Sequence, residues 1–153
     1  MKEYEHILGK YERRGTIDFK RTSQLRQLAR EIPEGICGVY MFVAEEKGCS
    51  DILYIGCSGH MESGNPVSRK RHGLRGRIYG KQEKVARDKF YKQVMDEKGL
   101  SSLKIHWFDT EQDDPEYIEY LTILRYITIN GRFPEFNNRL ERKENKALGI
   151  VNQ

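Results

Sequence analysis

The chain has no long hydrophobic run. No stretch approaches the ~18 consecutive apolar residues of a membrane-spanning helix, and the mean hydropathy is −0.77. The opening residues, Met1 to Glu5, do not begin a secretory signal. We therefore expect a cytoplasmic protein that does not associate with membranes.

The sequence also has few cysteines. Cys37, Cys49 and Cys57 are an odd number without framework spacing, which predicts reduced thiols rather than a disulfide scaffold. Cys57 and His60 have the spacing of zinc ligands, but no second close pair exists in the sequence to complete a four-ligand set. The pattern therefore disfavours a zinc site.

The 153 residues, 37% of them hydrophobic, suffice for one domain with its own core. Residues 1–36 are interpreted as an N-terminal extension with a short helix after Ser23, because residues 1–22 are polar and interrupted by glycines. Residues 37–138 form the predicted domain, and residues 139–153 a charged tail.

Two short segments, Gly38-Val39-Tyr40 and Tyr54-Ile55-Gly56, lie in apolar runs of strand character. The runs predict a hairpin with its loop near residues 45–48, in which Tyr40 pairs with Tyr54 on one sheet face. Residues 103–108 alternate like a third strand, and helices are predicted near 85–97 and 115–129. The predicted fold is α+β, with a three-stranded, mainly antiparallel sheet flanked by helices.

Three later segments follow the hairpin in a definite order. Residues 74–78 supply Arg77, the helix at 115–129 supplies Glu119, and residues 133–137 end in Asn137. Together with the hairpin, this order resembles the GIY-YIG endonuclease family, a class of small metal-dependent DNA-cutting domains, over roughly residues 37–138. The resemblance implies hydrolysis of DNA phosphodiester bonds with Mg²⁺ or Mn²⁺.

The resemblance also implies a role for each of these residues. Tyr40 would take the proton of the attacking water, for which its pKa must fall from ~10. Tyr54 would orient groups at the phosphate. Arg77 would grip the phosphate and stabilise the charge that builds on it. Glu119 would hold the metal, and Asn137 would support the site from the end of the domain.

Glu119 also has a physical argument of its own. Residues 117–129 are apolar nearly all round, so we expect this helix to be buried on several sides. Its two charges, Glu119 and Arg125, point in different directions and do not pair readily. An unpaired buried carboxylate is costly, and hydrated Mg²⁺ would offset that cost. A salt bridge to a base elsewhere in the chain is the alternative.

The sequence leaves the identity of the metal ligand open for two reasons. Glu116 lies one turn before Glu119 and is the other possible ligand. At the spacing of compact family members, Arg125 occupies the acidic position. The helix therefore carries an insertion after Glu119, or the metal site is altered.

Positive charge is concentrated between residues 69 and 92. This stretch has ten Lys and Arg against two acids, a net charge of +8, whereas the whole chain carries +4. Such a stretch suits a nucleic-acid backbone, although a solvated helix face is the commoner explanation. The candidate substrate contacts are Arg69, Lys70, Arg71, His72, Arg75 and Lys81.

Two features depart from compact, repair-type family members. Those members have Lys directly after the segment that corresponds to Tyr54-Ile55-Gly56, where this chain has Cys57. They also lack the long loop predicted at residues 57–68. The main alternative function is a non-catalytic nucleic-acid-binding module with the same fold. DNA is the expected partner, and the residues leave RNA and the oligomeric state open.

Overall fold

The structure is a computed structural model that describes residues 1–69 and 71–137. Lys70, the end of the predicted domain at 138 and the predicted tail at 139–153 lie outside the described residues. The strands are β1 (Arg14–Lys20), β2 (Gly38–Glu46), β3 (Cys49–Ser58), β4 (His60–Glu62), β5 (Asn65–Val67), β6 (Lys81–Gln82), β7 (Val85–Ala86) and β8 (Ser102–Asp109). The helices are α1 (Glu5–Leu8), α2 (Leu25–Leu28), α3 (Gly73–Ile78), α4 (Arg87–Lys98) and α5 (Pro115–Asn130), with 3₁₀ turns at Lys2–Tyr4 and Ala29–Glu31.

The fold is α+β, as predicted, but its main sheet has four strands rather than three. The order is β1-β8-β2-β3, and every neighbouring pair is antiparallel. The additional strand, β1, comes from the segment that we expected to be an extension. Ile17 and Phe19 are buried while their neighbours along the strand are exposed. This alternation of two apolar positions is too short to stand out among the surrounding charges.

The β2–β3 hairpin forms as predicted, but its register differs by two residues. Tyr40 lies opposite Gly56, and Phe42 lies opposite Tyr54. Two local features cause the difference: Lys47 and Gly48 form a two-residue turn with positive φ, and a bulge follows Phe42. Each feature shifts the register by one residue. Because side chains alternate with period two, Tyr40 and Tyr54 still share a face.

The sheet is covered on both faces, and each face has its own core. The face with Tyr40 and Tyr54 packs against residues of α2, α3 and α4. The opposite face packs against α1 and α5, with Met41 and Ile55 at its centre. The main sheet thus separates the helix that carries Arg77 from the helix that carries Glu119.

Helix α5 begins and ends close to where the sequence predicts. Asp114 caps it by accepting a hydrogen bond from the Glu116 N–H at 3.0 Å, and Pro115 follows. The expectation of burial on several sides is wrong. One side packs on the sheet, whereas the large apolar residues Tyr117, Tyr120, Leu124 and Ile129 are exposed.

Two small hairpins lie outside the main sheet. Residues 57–68, predicted as a loop, contain the end of β3 and the hairpin of β4 with β5. Strands β6 and β7 form the second hairpin between α3 and α4. Within 1–69 and 71–137, no helix is long and apolar enough to cross a membrane.

Strand β1 predicts a mutational effect inside a segment that the sequence alone places outside the domain. Phe19 has no exposed surface, so Phe19→Ala should lower the free energy of unfolding by about 3–5 kcal/mol. Lys20→Ala, at the neighbouring exposed position, should change it by no more than about 0.5 kcal/mol. Urea denaturation of both variants makes the comparison. Equal stabilities would contradict the placement of β1 in the core.

Candidate functional site

Close packing inside the sheet requires glycine at Gly38 and Gly56, the signature glycines of the segments Gly38-Val39-Tyr40 and Tyr54-Ile55-Gly56. A Cβ at Gly38 would lie 1.9 Å from the carbonyl oxygen of Phe108 on the neighbouring strand. A Cβ at Gly56 would lie 2.6 Å from both the phenol oxygen and the adjoining ring carbon of Tyr40. Any side chain at Gly56 would therefore displace the Tyr40 phenol, which lies across the strand at this position.

The two signature tyrosines lie side by side on one sheet face. Their ring centroids are 6.0 Å apart. Tyr40 has no exposed surface, and its hydroxyl has no hydrogen-bond partner of good geometry in the described chain. Burial raises the pKa of Tyr40 above its ordinary value, and the charges of Arg87 and Arg77 oppose that rise. The phenol is therefore protonated at neutral pH in the free protein.

Helix α3 brings Arg77 to these tyrosines. The helix is anchored by buried Leu74 and Ile78, and the Leu74 N–H donates to the Ile36 carbonyl at 2.9 Å. The Arg77 guanidinium interacts electrostatically with Tyr40 and Tyr54 and also with Cys57. The predicted arginine thus reaches the face that holds both tyrosines, and its side chain remains partly accessible to solvent.

Glu119 approaches from the other face of the sheet. It is partly buried on α5 beside Cys57, which packs with the core of that face. Burial raises the pKa of Glu119, opposed by hydrogen bonding with the Cys57 thiol and by the charge of Arg77. Burial and the Glu119 charge also raise the pKa of Cys57, so this thiol is protonated at neutral pH. Cys57 thus interacts both with the candidate metal ligand Glu119 and with Arg77.

Asn137 binds the outer edge of β3 between the two sheet faces. Its Nδ2 donates to the Ile55 carbonyl at 2.8 Å, and its Oδ1 accepts from the Ile55 N–H at 2.9 Å. The Phe136 N–H donates to the Leu53 carbonyl at 2.9 Å. These bonds satisfy backbone groups that an edge strand would leave unpaired. Asn137 therefore fixes the backbone of the residue directly after Tyr54.

A cleft of about 330 Å³ opens beside this cluster. Most of its lining side chains are polar, and they come from the end of β3, from β4, from the residues before α3, from α3 and from the start of α5. Its lining residues are Cys57, Ser58, Gly59, His60, Ser68, Arg69, Arg77 and Glu116. Of the predicted residues in the described chain, Arg69, Arg77 and the alternative metal ligand Glu116 line the cleft, whereas Tyr40, Tyr54, Glu119 and Asn137 do not.

The remaining candidate contacts fall into two groups. Arg71 and Lys81 are exposed and available to a ligand. Arg75 is held within the fold, because its guanidinium donates to the Ile32 carbonyl at 2.7 Å, to Glu34 at 2.9 Å and to the Arg30 carbonyl at 3.1 Å.

His72 lies near the same acid, with its Nδ1 3.3 Å from a Glu34 oxygen. Arg75 and His72 thus link α3 to the segment after α2, whereas Arg69, Arg71 and Lys81 remain the exposed candidate contacts.

Arg125 does not belong to this cluster. Its Nε donates to the Glu3 carbonyl at 3.1 Å, and it lines a groove of about 530 Å³ between α1 and α5. That groove is larger than the cleft but contains none of the other predicted site residues. Of the charged residues on α5, Glu119 and Glu116 lie on the side of Arg77, whereas Arg125 lies in the other groove.

The donor set at Glu119 fits a hard divalent cation. Among the described residues, no three His, Cys, Asp or Glu side chains form a metal-binding group. Mg²⁺ needs no such group, because it commonly binds one or two carboxylates together with water and substrate phosphate. The Glu116 charge raises the pKa of Glu119, and a cation held by both carboxylates would relieve that repulsion.

The sequence analysis missed one residue at the centre of the cluster. Arg87 is only 3% exposed, and its guanidinium lies 5.6 Å from the Tyr40 ring centroid and 5.4 Å from that of Tyr54. The available signal was a cation at the start of a predicted helix, where the helix dipole disfavours it.

Comparison of the chain with protein-family models, curated proteins and solved structures finds no match.

Close packing of Tyr40 on Gly56 predicts coupled mutational effects. Gly56→Ala should destabilise the protein by about 1–3 kcal/mol, because the new methyl group overlaps the phenol. In a Tyr40→Ala background the same substitution should cost less, since the overlapping atoms are gone. Denaturant unfolding of the four proteins of this double-mutant cycle measures the coupling. Additive effects would contradict the contact.

Burial of Glu119 predicts how stability changes with pH. Its folded pKa lies above the ordinary value of 4.5, so between these two values the folded state binds more protons and stability falls as pH rises. Glu119→Gln removes this penalty. The variant should be more stable than wild type at neutral pH, and its advantage should shrink as pH falls towards 4.5.

Chemical denaturation from pH 4 to pH 8 tests this expectation. Glu12→Gln, at an exposed position, is the control and should follow the wild-type curve. If the free energy of unfolding of Glu119→Gln changes with pH in parallel with that of wild type, burial does not disfavour the ionised Glu119 carboxylate in the folded protein.

Proposed function

We propose that the protein is a metal-dependent endonuclease that hydrolyses DNA phosphodiester bonds. The observation that carries the proposal is the convergence of residues from separate segments of the chain at the β3 edge: Tyr40, Tyr54, Arg77, Glu119 and Asn137. These are the residues that the resemblance to the GIY-YIG family selects. A polar cleft and exposed cations adjoin the same edge.

Arg77 and the exposed cations supply binding to the phosphate. A guanidinium keeps its charge and can grip two phosphate oxygens, which suits the charge that develops during attack. Arg69 lies in the same cleft as Arg77, and Arg71 and Lys81 lie nearby in sequence and are exposed. Together they provide a positive surface for the DNA backbone.

Glu119, whose neighbours Cys57 and Glu116 line the cleft, would hold Mg²⁺ or Mn²⁺ together with Glu116. Such a cation polarises a phosphoryl oxygen and makes a bound water more acidic. Asn137 holds the Ile55 backbone and thereby keeps Tyr54 in place beside the cleft. The Cys57 thiol holds the Glu119 side chain.

Tyr40 would take the proton of the attacking water, as the resemblance implies. Its oxygen is buried and its pKa is raised in the free protein. This role therefore requires the bound state to expose the phenol and lower its pKa, so that it first loses its own proton to solvent and then acts as the phenolate. Arg77 and Arg87 already act in that direction, because their charges lower the pKa of Tyr40.

The same burial favours a second candidate function, a nucleic-acid-binding module without chemistry. A phenol with no exposed surface cannot accept a proton from water in the free state. Such a module would bind through Arg69, Arg71 and Arg77, with salt-sensitive affinity that does not change when metal is removed.

The test of the proposed function is cleavage of supercoiled plasmid with Mg²⁺, with Mn²⁺ or with chelator. Wild type should produce nicked circles in a metal-dependent reaction, since one site cuts one strand. Glu119→Gln and Arg77→Ala should lower the cleavage rate by about 10²-fold or more. Arg125→Ala is the matched control on α5 and should retain wild-type cleavage, because Arg125 lies in the other groove.

Binding measurements separate the two candidate functions. Glu119→Gln should still bind DNA at low salt, whereas Arg77→Ala should bind more weakly. Mg²⁺ or Mn²⁺ should raise the melting temperature of wild type and not that of Glu119→Gln. Salt-sensitive binding without strand scission in any metal would favour the non-catalytic module. Equal cleavage by wild type and Glu119→Gln would refute the nuclease site described here.

A further inference from the structure

The stability of the fold does not by itself explain why an arginine lies at position 87. It is the first residue of α4, where the helix dipole disfavours a cation. It is 97% buried, and no carboxylate of the described ranges forms an ion pair with it. A buried charge without an opposite charge is expensive, and an apolar residue of similar size would avoid that cost.

Hydrogen bonds hold the Arg87 guanidinium in one orientation. Its Nε donates to Oε1 of buried Gln82 at 3.0 Å, and its Nη1 donates to the Arg77 carbonyl. The Arg87 backbone N–H donates to the Gly80 carbonyl at 2.8 Å. Arg87 therefore ties the start of α4 to the end of α3, the helix that carries Arg77.

The same guanidinium is the common neighbour of both signature tyrosines. Its central carbon lies 5.6 Å from the Tyr40 ring centroid and 5.4 Å from that of Tyr54. A guanidinium at this distance from an aromatic ring is attracted to it, and more strongly when water is excluded. One side chain thus contacts three of the predicted site residues: Tyr40, Tyr54 and Arg77.

We propose that Arg87 is a positioning residue of the candidate site, which holds the Tyr40 ring, the Tyr54 ring and the Arg77 segment in a fixed mutual arrangement. The proposal rests on the proposed function for its catalytic consequence only. The arrangement itself is a property of the free protein.

The charges around Tyr40 support this assignment. Tyr54 and Glu119 raise the pKa of Tyr40 in addition to burial, whereas Arg87 and Arg77 lower it. Tyr91 faces the same guanidinium, and Glu83 acts on Tyr91 from the β6–β7 turn. Loss of the Arg87 charge should therefore raise the pKa of Tyr40, which loss of packing alone would not do.

The test uses 3,5-difluorotyrosine in place of Tyr40, because its phenol is more acidic and titrates at accessible pH. Fluorine NMR follows the titration in wild type, Arg87→Lys and Arg87→Met without any substrate. Arg26→Met is the matched control, since the Arg26 guanidinium lies 5.5 Å from the Tyr79 ring centroid outside the site.

Arg87→Met should shift the titration to higher pH, while Arg87→Lys, which keeps the charge, should stay closer to wild type. Both should move the fluorine resonance, because neither can bridge Gln82 and the Arg77 carbonyl as the guanidinium does. Arg26→Met should change neither quantity. The proposal is refuted if Arg87→Met has the wild-type midpoint and the wild-type resonance position. If Arg87→Met does not fold, the proposal is refuted if Arg87→Lys has the wild-type midpoint and resonance position.

Cleavage kinetics give the catalytic consequence a separate test. Arg87→Lys should lower kcat by on the order of 10²-fold with little change in KM, as expected for misplaced reacting groups. A wild-type kcat in Arg87→Lys would overturn the positioning role. Absence of cleavage by wild type would count against the proposed function alone, because the fluorine titration is measured without DNA.

Discussion

The candidate site depends on one contact within the central hairpin, the packing of the Tyr40 phenol across Gly56. The register places Gly56 opposite Tyr40, and only a residue without a Cβ leaves room for the ring. The phenol can then lie 6.0 Å from the Tyr54 ring and among the charges of Arg77 and Arg87. A slip of β3 against β2 by one residue would turn Tyr54 to the opposite face and so separate it from Tyr40 and from the two arginines.

The edge position of β3 explains how groups from opposite sheet faces meet. Arg77 lies on the face with the tyrosines, and Glu119 lies on α5 against the other face. In the middle of a sheet, neighbouring strands would separate such groups. At the β3 edge only one strand lies between them, and Asn137 closes that edge without covering the cleft. In the proposed function, this arrangement brings cations to the phosphate from one side and the metal-binding carboxylate from the other.

Most of the architecture could be predicted from local sequence patterns, because the β2–β3 hairpin, β8 and α5 have clear periodicity and Asp114 and Pro115 mark a helix start. Strand β1 could not, since its buried residues are few and lie between charges. The predicted register was wrong by two residues, because neither the position of the Lys47–Gly48 turn nor the bulge after Phe42 has a reliable sequence signal. Arg87 looked like one more solvated cation, because burial of its side chain depends on tertiary contacts that no local pattern records.

Unfavourable burial in the described chain is concentrated at the β3 edge. Most ion pairs elsewhere in the described chain, such as Lys10 with Asp113, lie near the surface and cost little. At the β3 edge, by contrast, burial disfavours the charged form of Glu119. Within residues 1–69 and 71–137, Arg87 forms no ion pair, and the Tyr40 hydroxyl has no hydrogen-bond partner of good geometry. Perturbed groups of this kind occur more often at functional sites than elsewhere in proteins. A divalent cation would relieve Glu119, and a phosphate would offset the positive charge of Arg77 and Arg87. Among the described residues, those that line the larger groove between α1 and α5 include none of these three groups.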